Sequence, residues 1–261
     1  MKVSYFPGCT LKTKAKQLDI YAVKCAEKLG VTLEEVENWQ CCGGVFTNTN
    51  DEIATKLSSV RLLTYAKEKE QMLVTACSAC HNVVKQTNYA MKEDKDFNFR
   101  VNQYIKEDKE YNGETQVIHY LELLRDYIGF DKVKENSVNS LNGKKIAAYY
   151  GCLLLRPGKI MKTDDVENPS IIEEMIKAIG GEAVIYPMRN ECCGGYISLE
   201  DKESANKKSS KIWESAVKLG AEMIVTPCPL CKYNLEKNGC PVPVKYFTEI
   251  LADAFGIKED N

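Results

Sequence analysis

The residues of this chain most capable of chemistry are its cysteines, and ten of the 12 recur in a fixed order. Each set contains one cysteine after a glycine, an adjacent pair followed by two glycines, and a Cys-x-x-Cys motif. The first set is Cys9, Cys41, Cys42, Cys77 and Cys80, and the second is Cys152, Cys192, Cys193, Cys228 and Cys231. The adjacent pairs and the Cys-x-x-Cys motifs are each repeated at an offset of 151 residues. Repetition of the whole set predicts a duplicated domain.

Five thiols per set predict a metal–sulfur centre. A structural zinc ion takes four ligands and a conventional cubane also uses four thiolates, so a fifth cysteine favours a larger or irregular iron–sulfur centre. Two alternatives stay open, namely a zinc site and a thioredoxin-type redox pair at either Cys-x-x-Cys motif. Repetition of that motif together with the adjacent cysteine pair favours iron–sulfur over both.

Several reactive side chains near the repeat have simpler interpretations. Cys25 and Cys240 fall outside the repeat. We expect Cys25 to be a buried small residue and Cys240 to be a turn residue. We expect His81 and His119 to be structural, although histidine can also donate a proton near neutral pH. Four charged side chains flank the cysteines and could offset thiolate charge, namely Lys85, Arg156, Arg189 and Lys232.

The elements that position these residues follow from the apolar pattern. Strand-length apolar runs precede the cysteines and alternate with helical patterns at Ile53–Lys69, Ile171–Ile179 and Lys207–Leu219. This alternation predicts an α/β fold of two pseudo-symmetric halves, each with a mainly parallel sheet covered by helices. Loops at the carboxyl edge of each sheet would gather one set of cysteines at one place.

The repeat also predicts a domain organisation. We expect a first domain over residues 1–129, a second over residues 144–261, and a polar linker over residues 130–143. The polar stretch Lys92–Gly113 has no counterpart in the second half, so we expect it to be an insertion.

Composition excludes several function classes. The chain has 261 residues, of which 44% are hydrophobic and 28% charged, as in ordinary globular proteins. A net charge of -2 offers no field that would attract nucleic acid or an anionic membrane. The longest apolar run, Ile146–Leu155, is too short to span a bilayer, so no direct membrane insertion is expected. The N-terminus does not look like a signal peptide, and free thiols suit a reducing compartment, so we expect a cytoplasmic protein.

The duplicated pattern resembles the cysteine-rich CCG domain family, and its length and build are similar from end to end to the family of heterodisulfide reductase B subunits. The motifs are separated by 31 and 34 residues in the first half and by 39 and 34 in the second. The resemblance implies that each set of five cysteines holds one non-cubane 4Fe-4S cluster and takes part in catalysis through it. It also implies that the two cluster sites, at the loop ends of the sheets, lie near the interface between the repeats. It further implies reductive cleavage of a disulfide, which in methanogens is that of coenzyme M and coenzyme B. Gly43 and Gly44 stand where methanogenic members tend to carry proline, which leaves a related disulfide as the substrate.

The resemblance also implies protein partners. Electrons would arrive from a ferredoxin-like C subunit, fed by a flavoprotein A subunit that can bifurcate electrons, with a hydrogenase or formate dehydrogenase as a further partner. The chain has no flavin or nucleotide fingerprint of its own and would depend on such partners. CCG domains also occur in membrane-associated complexes that oxidise succinate, glycolate or lactate. An electron-transfer subunit of such a complex is therefore the second function, and a metal-stabilised scaffold is the third.

Overall fold

The two halves of the chain have the same topology in the computed structural model, which describes residues 1–44, 53–105 and 110–258. The first half contains a parallel sheet of four strands in the order β2-β1-β3-β4. Its elements are β1 (Lys2–Phe6), α1 (Cys9–Lys12), α2 (Lys16–Lys28), β2 (Thr32–Glu35), α3 (Ala54–Glu68), β3 (Leu73–Thr75), α4 (Ser78–Glu93), α5 (Lys95–Ile105), β4 (Val117–His119), α6 (Tyr120–Glu122), a π-helical turn (Leu123–Ile128) and α7 (Phe130–Glu135).

The second half repeats this sheet in the order β6-β5-β7-β8, again with every neighbouring pair parallel. The predicted α/β fold with two similar halves is confirmed. The elements of the second half are β5 (Lys145–Ala148), α8 (Gly158–Met161), α9 (Ile171–Ala178), β6 (Glu182–Val184), a 3-10 turn (Ile197–Leu199), α10 (Lys202–Lys218), β7 (Met223–Thr226), α11 (Pro229–Lys237), β8 (Val244–Tyr246) and α12 (Phe247–Phe255).

The central strands are buried because helices cover both faces of each sheet, as is typical of parallel sheets. All residues of β3 and β7 are buried. The three predicted helical patterns correspond to α3, α9 and α10. Helix α10 begins at Lys202 rather than Lys207, because the Asp201 carboxylate caps it by accepting a hydrogen bond from the Ser204 amide at 2.9 Å. Within the described residues, none of the helices has the length and apolar character needed to cross a lipid bilayer.

Helices also form in the predicted linker and insertion. Helix α7 occupies the start of the linker, where Val133 is fully buried and α7 packs beside α9. Helix α5 occupies the middle of the insertion. The rest of the predicted domains includes residues 45–52, 106–109 and 259–261, which lie outside the described residues. The domain boundaries at residues 129 and 144 stay a prediction.

The two halves interlock through α2 and α12. The Thr248 hydroxyl of α12 donates a hydrogen bond to the Leu18 carbonyl of α2 at 3.0 Å. Cys25 is fully buried in this contact, with its Sγ 4.0 Å from the Thr248 carbonyl. Burial raises the pKa of the Cys25 thiol to about 12, so the thiol stays protonated. Cys25 is therefore the buried small residue that we expected, and Cys240 lies half-buried in the turn after α11.

His119 connects the end of β4 to the start of α6. Its Nδ1 accepts a hydrogen bond from the Leu121 amide at 3.2 Å, and its Nε2 lies 3.0 Å from the Ala76 carbonyl. These two partners require the neutral tautomer with the proton on Nε2. Burial lowers the pKa of His119 to about 3. The residue therefore fixes backbone, as the sequence indicates.

We predict that His119 makes the stability of the chain depend on pH. In the unfolded chain histidine binds a proton near pH ~6.5, whereas the folded chain resists protonation of His119 until about pH 3. Its contribution is thus present above pH ~6.5 and is lost progressively as the pH falls towards the folded pKa. The urea midpoint of the wild-type chain should fall more steeply between about pH 7 and pH 5 than that of His119→Gln, whose amide keeps a donor. Equal slopes for the two proteins would contradict this role.

Candidate functional site

All ten cysteines of the repeat lie beyond the carboxyl ends of the parallel strands, as predicted. Cys9 and Cys152 follow the central strands β1 and β5. The adjacent pairs lie in the loops after β2 and β6. Cys77 and Cys228 follow β3 and β7 and are the N-cap residues of α4 and α11. The equivalent strands of each sheet therefore deliver five thiols to one edge.

Within the first half these thiols are close neighbours. The Sγ atoms of Cys9 and Cys41 lie 3.5 Å apart, and those of Cys42 and Cys80 lie 3.4 Å apart. Cys77 in turn interacts with Cys80, which lowers the pKa of Cys77. Three of the five are buried, whereas Cys9 is half-buried and Cys41 is exposed.

The second half repeats the arrangement. The Sγ atoms of Cys193 and Cys231 lie 3.5 Å apart. Cys152 interacts with Cys192, and Cys228 with Cys231, so that each shifts the pKa of its neighbour. Here Cys152 and Cys192 are half-buried, and the other three thiols are buried. The two sets thus have the same pairings at equivalent positions.

The two sets meet at the interface between the halves. Interaction with the Cys228 thiol lowers the pKa of Cys77. The Pro227 carbonyl beside Cys228 accepts two hydrogen bonds from Ser78, from its amide at 3.2 Å and its hydroxyl at 2.9 Å. The Ala76 carbonyl beside Cys77 accepts one from the Tyr246 hydroxyl. Each half therefore donates a hydrogen bond to a backbone carbonyl of the other half, at the residue that precedes the first cysteine of the Cys-x-x-Cys motif.

Glycines leave space for the sulfur atoms at equivalent positions. A Cβ atom on Gly8 would lie 2.6 Å from the Cys80 Sγ, and one on Gly151 would lie 3.1 Å from the Cys231 Sγ. Only glycine fits such a gap. A Cβ on Gly44 or Gly195 would similarly lie 3.5 Å or 3.4 Å from a cysteine sulfur.

Backbone amides and neighbouring thiols also favour thiolate at one cysteine of a pair in each set, while the pKa of its partner, Cys41 or Cys152, is raised. Hydrogen bonds from Cys41 and Cys80 lower the pKa of Cys42 to about 4, with help from a backbone amide. In the second half, a hydrogen bond from Cys152 lowers the pKa of Cys192 to about 6. The Gly194 amide lies 3.4 Å from the Cys192 Sγ and donates to it. Thiolate is the form of cysteine that binds metal.

The residues present fit a multi-iron cluster in each half. The donors are all thiols, which are soft ligands of the kind that iron–sulfur clusters use. Glycine positions that a Cβ would fill lie against the sulfurs, and amide donors point at them. Among residues 1–44, 53–105 and 110–258, no group of three Cys, His, Asp or Glu side chains is arranged to hold a single metal ion.

The residues after the two Cys-x-x-Cys motifs meet equivalent carboxylates. His81 Nε2 lies 3.4 Å from Glu122, and Lys232 Nζ lies 3.9 Å from Glu249. Burial lowers the pKa of His81, which is fully buried, so it stays neutral. Lys85 also pairs with Glu122, at 3.3 Å.

The two flanking arginines of the second half lie in ion pairs as well. Arg189 is buried with its Nε 3.3 Å from Glu173, and Arg156 lies 3.4 Å from Glu167. The flanking charges of both halves are thus paired with carboxylates.

Sequence reasoning missed Tyr196, which directly follows the second pair of cysteines and glycines. A Cβ on Gly44 would lie 3.7 Å from the Tyr196 hydroxyl, so this side chain of the second half reaches the first set. Burial, followed by the charges of Cys228 and Cys77, raises the pKa of Tyr196. Its position directly after the Cys-Cys-Gly-Gly motif is the signal that could have identified it.

Known proteins share the duplicated domain and its length. The family model of the cysteine-rich domain CCG matches residues 3–85 and again residues 146–236. The 8-methylmenaquinol:fumarate reductase membrane anchor subunit of Wolinella succinogenes is 30% identical over 97% of this chain and 92% of its own length. The B subunit of the ferredoxin:CoB-CoM heterodisulfide reductase of Methanosarcina mazei is 26% identical over 100% of this chain and 91% of its own length.

A solved structure shares the fold. A hypothetical protein from Helicobacter pylori superposes with a TM-score of 0.71 over 100% of this chain and 49% of that chain, at 14% identity. At that identity the likeness concerns the fold alone.

We predict that Gly8→Ala lowers the iron content of the anaerobically purified chain by about half, because the new Cβ would displace a sulfur of the first set. Gly129→Ala is the matched control. Gly129 has a φ of 84°, close to the 81° of Gly8, but no atom of the described residues lies within 4 Å of its added Cβ. Backbone strain of about 1 to 3 kcal/mol is thus common to both variants. Equal iron loss in the two would show that strain, rather than the sulfur contact, is responsible.

Proposed function

Since this chain belongs to the cysteine-rich CCG domain family and carries the domain twice, we propose that it is the catalytic iron–sulfur subunit of a heterodisulfide reductase-like complex. The proposed reaction is reductive cleavage of a disulfide by two electrons and two protons to give two thiols. The observation that carries the proposal is the pair of hydrogen bonds from Ser78 to the Pro227 carbonyl, which bring Cys77 and Cys228, and with them both sets of thiols, to the interface between the halves. Relatives named as B subunits of heterodisulfide reductases, or as similar to them, support it.

The cofactors in this proposal are two non-cubane 4Fe-4S clusters, one per set. When bound, they would supply the two electrons and iron sites that accept the substrate sulfurs. Relatives named as iron-sulfur proteins support the metal. The residues proposed to hold them are Cys9, Cys41, Cys42, Cys77 and Cys80 for the first and Cys152, Cys192, Cys193, Cys228 and Cys231 for the second.

The surrounding residues have distinct tasks in this proposal. Ser78 and Tyr246 fix the backbone across the interface and so set the separation of the two sets. The buried Tyr149 lies beside the cysteines of the second set and helps to exclude water from them. Electrons would come from a ferredoxin-like partner and a flavoprotein partner, because the chain holds no nucleotide fingerprint. We place the complex in the cytoplasm.

A second function is favoured by one comparison. The relative from Wolinella succinogenes is the membrane anchor subunit of a quinol:fumarate reductase. The same thiol sets could then pass electrons between a quinol and a partner protein. In that case the chain would not act on disulfides.

One anaerobic assay separates the two functions. The iron-loaded chain would be mixed with reduced viologen and a panel of small disulfides, and separately with a quinol analogue and an electron acceptor. The proposal expects oxidation of viologen that depends on a disulfide and releases two thiols per two electrons. Reaction with the quinol and with none of the disulfides would overturn it in favour of the second function.

We predict about eight irons per chain in an anaerobic preparation, four per set. Cys42→Ala and Cys193→Ala, which truncate equivalent thiols, should each lose most iron from one half. Cys25→Ala and Cys240→Ala are matched controls outside the repeat and should keep the full iron content. Loss of a whole cluster in either control would refute the ligand assignment.

We also predict that both sets are needed for turnover. Because the substrate disulfide has two sulfurs and each set would receive one, either Cys42→Ala or Cys193→Ala should abolish disulfide reduction while partner binding persists. The measurement is turnover together with co-purification of the ferredoxin-like partner. Full turnover with one set removed would show that this set is not needed for catalysis and would contradict the prediction.

A further inference from the structure

A cavity of about 30 Å³ lies against the second set of thiols at the interface between the halves. Besides cysteines and apolar residues, its lining contains three side chains that bear a hydroxyl, namely Ser78, Tyr150 and Tyr196. A hydroxyl has a single proton to donate, so it can serve a ligand only if that proton is not already held by a protein acceptor. The partners of the three hydroxyls therefore decide which of them is available.

Two of the three hydroxyls are committed to protein acceptors. The Ser78 hydroxyl donates a hydrogen bond to the Pro227 carbonyl at 2.9 Å. The Tyr150 hydroxyl donates one to the Glu173 carboxylate. By contrast, the Tyr196 hydroxyl forms no hydrogen bond within the part of the chain that the structure describes. Tyr196 therefore supplies the available donor of this lining.

The Tyr196 hydroxyl faces the first set of thiols, although the residue belongs to the second half. A Cβ on Gly44 would lie 3.7 Å from this hydroxyl and 3.5 Å from the Cys42 Sγ. The space left free by Gly44 thus borders both a hydroxyl donor and a sulfur of the first set. A ligand sulfur in that space would lie within reach of the Tyr196 hydroxyl.

The turn that follows the second pair of cysteines and glycines fixes the position of Tyr196. The Ser198 amide donates a hydrogen bond to the Gly194 carbonyl at 3.0 Å, and the Ser198 hydroxyl donates one to the Gly195 carbonyl at 2.6 Å. The Tyr196 side chain is 37% exposed, so it lies between the cavity and the solvent. A donor held in this way needs little reorganisation when a ligand arrives.

The chemistry of disulfide cleavage suits a neutral phenol at this position. Burial, followed by the charges of Cys228 and Cys77, raises the pKa of Tyr196, so the hydroxyl keeps its proton. Hydrogen bonds to an ionised acceptor are stronger than those to a neutral one. Because cleavage converts a neutral disulfide sulfur into a thiolate, the hydrogen bond would strengthen as the charge develops.

The sequence repeat places a hydroxyl at this position in one half only. The residue 151 positions before Tyr196 is Val45, whose side chain has no hydrogen-bonding group. Val45 lies outside the described residues. The donor is therefore a property of the second Cys-Cys-Gly-Gly motif and is not shared by the first.

We propose that the Tyr196 hydroxyl is a catalytic hydrogen-bond donor to a substrate sulfur placed beside Gly44 and Cys42. No proton is transferred in this role. The assignment rests on the proposed function, because its acceptor is a thiolate released from a disulfide. It makes the sulfur at the first set the better stabilised of the two.

The test is an anaerobic titration of the iron-loaded full chain with propanethiol as the probe. Tyr196→Phe removes the hydroxyl and keeps the ring, so a role as a mere lid would be preserved. This variant should bind propanethiol about tenfold more weakly, since a hydrogen bond to an anion is lost, and should keep the iron content and urea midpoint of the wild type. Tyr104→Phe is the control, because Tyr104 is 68% exposed on α5 and should match the wild type.

Two further measurements locate the hydrogen bond. In heavy water, pulsed electron paramagnetic resonance of the propanethiol-bound wild type should show an exchangeable deuteron that Tyr196→Phe lacks. The affinity loss should persist when Tyr196→Phe is added to Cys193→Ala and vanish when it is added to Cys42→Ala, because the acceptor lies at the first set. The reverse pattern, or equal affinity of Tyr196→Phe and the wild type, would overturn the assignment.

The outcome is separable from that of the proposed function. If Tyr196→Phe binds propanethiol as weakly as expected but no disulfide is reduced, the donor role towards a thiolate stands and the reductase proposal fails. If disulfides are reduced and Tyr196→Phe changes neither the propanethiol affinity nor kcat, the donor role fails and the reductase proposal stands.

Discussion

The hydrogen bonds that cross between the halves beside the thiols are the interactions on which the rest of the structure depends. Ser78, the residue after Cys77, donates from its amide and its hydroxyl to the Pro227 carbonyl, at 3.2 Å and 2.9 Å. Tyr246 donates in return to the Ala76 carbonyl. Cys77 and Cys228 each begin a helix at the carboxyl edge of their own sheet, so these hydrogen bonds bring the two edges and their thiols to the interface between the halves.

The repeat explains why the two halves of that site are so similar. Glu122 and Glu249 each cap the helix after the last strand of a sheet, accepting a hydrogen bond from a backbone amide at 2.7 Å and 2.6 Å. The same carboxylates lie near the residues after the two Cys-x-x-Cys motifs, His81 and Lys232. Each helix start is thus held in an equivalent way. The symmetry is broken on the outer side of α11, where Tyr233 is 55% exposed while the equivalent residue of α4, Asn82, is buried.

Much of this could be predicted from the sequence, because strands, cysteine motifs and glycines leave local patterns. The alternation of apolar runs predicts both sheets, and the position of each thiol at a strand end follows from it. The cross-half hydrogen bonds were not predictable, since Ser78 and the Pro227 carbonyl are 149 residues apart and no periodicity connects them. Helix α7 was missed because its buried side chain, Val133, lies in an otherwise polar stretch.

The central claim is that the two sets of thiols hold metal centres close enough to act together on one substrate. Electron paramagnetic resonance of the anaerobic iron-loaded chain, with both centres paramagnetic, tests it most directly. Magnetic coupling between the centres, visible as splitting or broadening that disappears when either set is removed, is the predicted result. A spectrum equal to the sum of the two single-set spectra would contradict the claim.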